Sequence, residues 1–214
     1  MKEKGECSLE SLERLMDSAG IPGPLEEKFR ECVAFHTFPA PGLLIGVFMV
    51  DYALELMGAD PKEKLYSVSE TTKCAPDPLQ VILHCTSGNH RLRIIPIGKF
   101  AITINRGSAE PYADGMRIFI DPVKLKNFPL IHIWFTNDPS FSPRTMTIPL
   151  IGEIFQAGRK ILSSERVRVE VVPKQKWKSV ECSSCRETVP DNLLHDGVCG
   201  GCGPLSYYCK ERVC

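Results

Sequence analysis

The chain of 214 residues lacks a charge of one sign: 26 basic and 26 acidic residues cancel. No global field therefore steers it toward nucleic acid or an anionic membrane. Long apolar runs are also missing. The longest uncharged one, Pro41 to Val50, is too short to cross a bilayer. The start, MKEKGECSLES, has positive charge but no apolar stretch after it, so no secretory signal is expected and a cytoplasmic, reducing location follows. Internal repeats and low-complexity tracts are absent as well. Cysteine, by contrast, is plentiful. Ten of them in a reducing compartment read as metal ligands and buried or reactive thiols rather than as disulfides.

Periodicity divides the chain into helices and strands. Leu9, Leu12, Leu15 and Met16 share one helical face, closed by Gly20 and Pro22. A second helix starts near Pro24 and reaches His36, and a buried third spans Gly42 to Leu56 with Gly58 as its stop. A short helix is expected at Asp77 to His84 and another at Ile148 to Leu162. Strands are expected at Lys64 to Thr71, Arg91 to Pro96, Phe100 to Asn105, Met116 to Ile120, Leu130 to Phe135 and Arg166 to Val172. Helices and strands are segregated, which predicts an α+β core with a mainly antiparallel sheet. The length suits one such core, residues 1–172, a basic linker, 173–180, and a small cysteine-rich domain, 181–214.

That last segment carries Cys182-x-x-Cys185 and Cys199-x-x-Cys202, with thirteen residues between the pairs. Each C-x-x-C turns two thiolates toward one point, and two such turns close a tetrahedral sulfur cage. A segment with so little apolar content gains much of its folding free energy from the metal. Structural zinc is the reading, with rubredoxin-like iron and four unbound thiols as the competing ones. Cys209 and Cys214 offer substitute ligands at irregular spacing, and His195 reads as a surface residue. From Lys174 onward there are six basic and five acidic residues, a weak phosphate-neutralising footprint, so structural support or protein contact is expected here and nucleic acid is not.

A second concentration of chemistry lies in the core. His36 precedes a Pro39/Pro41 break, just before the N-terminus of the helix that Gly42 opens, where N–H groups lack partners. Cys74 and Cys85 bracket a short helix, and Cys85 enters a Thr-Ser-Gly turn whose N–H groups offer an anion site. His36, Cys74 and Cys85 make a candidate three-ligand set with an open fourth position, and Asp77 a proton carrier beside it. The competing reading is plain packing, since a lone histidine and free cysteines are commonly core residues.

These core residues also carry a resemblance. Phe35, His36, Pro41 and Gly42, then Glu70, Cys74, Asp77, Gln80, Cys85, Thr86, Gly88, Gly98 and Lys99, match motifs of the FmdE-like family of formylmethanofuran dehydrogenase proteins. The chain resembles that family from about Leu25 to Val172, and the four-cysteine zinc finger that follows is common among its members. The resemblance departs at Phe38, where the family has a second histidine, at Ala40, where it has cysteine, and at His84, where glycine is usual. The resemblance implies a homodimer and partnership with a formylmethanofuran dehydrogenase-type complex, whose chemistry uses a molybdenum or tungsten pterin and iron–sulfur clusters. The chain has no cluster run or pterin signature, so the implied role is a zinc-containing accessory or regulatory protein, not the redox-catalytic component. The alternative is a stand-alone metal- or thiol-dependent enzyme using the His36/Cys74/Cys85 pocket, with a second metal there. Converging ligands would place their donor atoms within about 4 Å of one another.

Overall fold

The structure, a computed structural model, describes residues 8–173 and 175–208. Cys7, Cys209 and Cys214, whose roles the sequence leaves open, lie outside the described residues. Two compact units divide the chain, Met1–Val171 and Val172–Cys214.

Unit one is built around a helix whose first ten residues are apolar on every side. Helix α1 is Leu9–Ser18, α2 is Gly23–His36 and α3 is Pro41–Met57. Pro41 occupies the first turn of α3, where a missing N–H costs nothing, and Gly58 ends it in the left-handed region at φ 54°. Every residue from Gly42 to Val50 is buried, so α3 is a core helix with neighbours all round. It packs against α2, α4 (Pro76–Leu83), α7 (Pro143–Ala157) and strands β3 (Ala101–Arg106) and β4 (Tyr112–Ile120). Edge-to-face rings tie three of these helices together: Phe29 lies 5.0 Å from Phe48 and 5.1 Å from Phe155.

The sheet has five strands in the order β2-β1-β3-β4-β5, with β1 at Leu65–Ser69, β2 at Leu92–Ile94 and β5 at Leu162–Glu170. Only β1 and β2 run parallel, joined through α4, and the other pairs are antiparallel. The core is therefore α+β with a mainly antiparallel sheet, as its segregated elements predict. Two small helices, α5 (Pro122–Leu125) and α6 (Pro129–Phe135), follow β4.

The segment α6 corrects an expectation, since Leu130 to Phe135 reads as a strand. PLIHIWF is a short apolar run whose periodicity fits either state. Pro129 sets a helical first turn, and the Ile131 N–H finds Glu153 Oε2 at 2.7 Å. Helix α7 also starts five residues earlier than Ile148, with Pro143 in its first turn, and its end at Gly158 (φ 51°) lets β5 begin at Leu162 rather than Arg166.

Among its described residues, unit two forms two hairpins. Strand β6 (Ser179–Glu181) pairs with β7 (Thr188–Pro190), and β8 (Leu194–His195) pairs with β9 (Val198–Cys199). Ser179 and Val180, expected in the linker, belong to the first hairpin. Such short strands bury almost nothing on their own; Cys182 is the one fully covered apolar side chain among the described residues of the unit.

Candidate functional site

Each hairpin of the tail delivers one pair of thiols. After β6, the Arg186 N–H returns to Cys182 O at 3.0 Å and the Cys182 N–H to Glu187 O at 3.0 Å, with Arg186 left-handed at φ 65°. This turn carries Cys182 and Cys185. After β9, Cys199 leads into a single 3-10 turn, Gly200–Cys202, which presents Cys202. The four ligand atoms all lie within 4.8 Å of one another, and Cys185 Sγ stands 3.9 Å from Cys199 Sγ. Four sulfurs at 2.3 Å from a tetrahedral centre would be about 3.8 Å apart, so the donor set fits a metal ion such as zinc.

Electrostatics points the same way. Backbone N–H groups of Cys185 and Cys199, with that of Ser184, lower the Cys182 thiol to about 6, and the Cys199 N–H stands 3.3 Å from Cys182 Sγ. Cys185 feels the Glu187 N–H pulling down, yet partial burial and the other three sulfurs push it up to about 12. Four thiols packed this closely do not all ionise unaided, whereas a bound cation removes that penalty.

The core pocket assembles differently. His36 is the last residue of α2, and Thr37 turns the chain left-handed at φ 74° before α3 begins. The His36 Nδ1 lies 2.6 Å from Asp77 Oδ2, in the first turn of α4, and Gln80 Nε2 donates to the other Asp77 oxygen at 3.4 Å. Phe38 lies beside the imidazole, its ring centroid 4.8 Å away. Cys74 sits against the start of α3: a Cβ on Gly42 would stand 3.4 Å from its Sγ and 3.3 Å from the Phe100 ring. Glycine is thus what allows Cys74 and Phe100 so close to the helix backbone.

Cys85 does not join this group. Its thiol is fully buried and faces β1, 3.3 Å from Leu65 O and 3.7 Å from Leu83 O. Among the described residues, the tail cysteines form the one set of three or more such side chains whose ligand atoms all fall within 4.8 Å. The converging His36/Cys74/Cys85 set expected from the sequence is therefore not assembled here, because the thiol of Cys85 is held by β1 and the end of α4. In the turn after Cys85, two of the N–H groups are already satisfied by side chains. Asn89 Oδ1 accepts from the Thr86 N–H at 3.0 Å, and Thr86 Oγ1 from the Asn89 N–H at 3.1 Å.

Burial, with the Asp77 carboxylate, raises the Cys74 thiol, outweighing the pull of its own N–H and of the Leu43 N–H in the first turn of α3. The same carboxylate reaches Cys32, which burial, Glu31 and Asp77 push up to about 12. Cys32, whose role the sequence leaves open, lies one helical turn before His36. Glu70, another residue of the motif, serves the sheet: Arg117 holds it through Nε and Nη2, at 2.5 and 2.9 Å, and keeps its carboxyl below the usual range. His84 occupies the left-handed cap of α4 at φ 51°, a conformation that explains why glycine suits that position.

Comparison with known proteins places these features in context. The family described as FmdE, molybdenum formylmethanofuran dehydrogenase operon, matches residues 35–169, more than half of the chain. A solved structure, that of a tungsten formylmethanofuran dehydrogenase FmdE-like protein from Syntrophus aciditrophicus, is 33% identical and superposes with a TM-score of 0.69. That match covers 86% of this chain and 95% of the other. A probable S-adenosyl-L-methionine-binding protein of Archaeoglobus fulgidus is 26% identical over 195 residues, which is 81% of this chain. The chain spans about half that relative's length, 51%. No helix among the described residues is long and apolar enough to cross a membrane.

Proposed function

The chain belongs to the FmdE family, and on that premise we propose that it is a zinc-binding accessory or regulatory protein associated with a formylmethanofuran dehydrogenase-type complex. The observation that carries the metal is the set of four tail thiols within 4.8 Å of one another. Zinc is favoured because four thiolates at tetrahedral spacing, closed by two hairpins, leave no open position for chemistry. The metal's role is then to fold the second unit. In this reading the protein is cytoplasmic, where thiols stay reduced, and works as a homodimer.

An accessory role is supported by what the core pocket offers. His36 and Asp77 are engaged with each other, and burial keeps the Cys74 and Cys32 thiols protonated at neutral pH. Phe38 and Ala40 add no donor. Such a pocket suits contact with a partner or a neutral ligand better than redox catalysis. The test uses the purified full chain. It should show no formylmethanofuran oxidation alone, and it should co-elute with a formylmethanofuran dehydrogenase complex in size-exclusion chromatography. Turnover by the chain unaided would contradict the reading, as would failure to associate.

A further inference from the structure

The sheet of the first unit carries a cleft lined by no cysteine and by neither His36 nor Asp77. It has a volume of about 440 Å³, inside the range of small-molecule sites, and lies where β4 and β5 run past the end of α3. Register sets its floor and rim. Met116 is paired with Arg166 and Asp114 with Arg168, so all four side chains stand on one face of the sheet. Leu56 and Met57, in the last turn of α3, form the wall.

The three arginines are not equivalent. Arg106 is committed: its guanidinium binds Glu63 at 2.8 and 3.3 Å and donates to Met57 O and Gly58 O at 3.3 Å each, closing the end of α3. Arg168 lies over the Tyr112 ring, 5.1 Å from its centroid, which fixes the guanidinium plane without neutralising it. Arg166 has no ion pair among the described residues. Two residues apart on one strand face, Arg166 and Arg168 have Cα atoms about 7 Å apart. Asp114 offsets one of the two free charges and leaves a single net positive charge over an apolar floor.

Charged side chains on an edge strand ordinarily guard it against further pairing. That explains charge on β5, but not two unpaired guanidiniums of one sign flanking a cavity floored by Met116 and walled by Leu56 and Met57. We propose that this cleft binds a small monocarboxylate with an apolar body, its carboxylate gripped by Arg166 and Arg168 and its body laid on Met57 and Met116. Guanidinium suits a carboxylate because the planar fork donates two parallel hydrogen bonds. The lone surplus charge matches one carboxylate rather than a polyphosphate.

Titration of the full chain with hexanoate, followed through the arginine Nε–Hε NMR resonances, tests this. The Arg166 and Arg168 signals should shift saturably, while those of Arg117 stay in place. Acetate, which has the head without the body, should bind about tenfold more weakly, and 1-hexanol should not displace hexanoate. Arg166→Gln and Arg168→Gln, both on the exposed strand, should each weaken hexanoate about tenfold, and Met57→Ala should weaken hexanoate but not acetate. Shifts that grow linearly without saturating would overturn the proposal. So would equal affinities for hexanoate and acetate, or affinities that the glutamine variants leave unchanged.

Discussion

The two cysteine-bearing regions solve the same problem, holding thiols in place, by opposite means. In the core, Cys32 and Cys85 are side chains of a packed interior and Cys74 is half-buried against Gly42. Burial raises the pKa of all three. In the tail, two hairpins of two- and three-residue strands bury little, and four sulfurs converge instead. The difference shows that cysteine count alone says little about chemistry. What decides it is whether apolar neighbours or other donors surround the sulfur.

The largest expected effect breaks the tail and spares the core. Cys182→Ser removes the one fully covered ligand. It should abolish metal retention and unfold the second unit, a loss on the order of 10 kcal/mol of metal-linked folding free energy. Hydrogen exchange would show the tail amides unprotected and the amides of α3 unchanged. Loss of protection throughout the first unit as well would erase the distinction between the two regions.

The converse substitution follows in size. Leu44→Ala, in the fully buried turn of α3, should lower the stability of the core by about 2–5 kcal/mol. Metal content should not change, which denaturant melts and metal analysis of one sample would check.

A smaller effect concerns the core thiols. Cys32 is raised from 9.0 to about 12, so the folded state keeps a proton that the unfolded chain releases. Folding stability from this group is complete below pH 9 and declines between pH 9 and 12. Asp77→Asn removes one cause of the raised values of Cys32 and Cys74. The pH profile of Cys74 alkylation should move to lower pH in this variant. A profile that stays in place would show that the carboxylate does not act on that thiol.

The sequence is most legible where the chemistry is local. Cys182-x-x-Cys185 and Cys199-x-x-Cys202 each act within one turn, so spacing alone leads to the sulfur set that the structure brings together. The apolar run from Gly42 likewise announces a buried helix. Legibility fails where distant elements decide. The His36–Asp77 contact joins residues 41 apart, and the direction of the Cys85 thiol depends on β1, twenty residues away. Pro129–Phe135 misleads for a related reason: its apolar run fits either period, and a glutamate from α7 caps the helical choice. The cleft of Arg106, Arg166 and Arg168 draws on three strands and one helix end, with no sequence signature at all.

On the proposed reading, metal belongs to the tail and not to the core pocket. Metal analysis by inductively coupled plasma mass spectrometry tests it most directly, applied to the wild-type chain, Cys199→Ser and the double variant His36→Ala/Cys74→Ser, all purified under reducing conditions. The expected result is one zinc per chain in the wild type and the double variant, and none in Cys199→Ser. Two zinc ions per chain with one lost from the double variant, or no metal in the wild type, would contradict it.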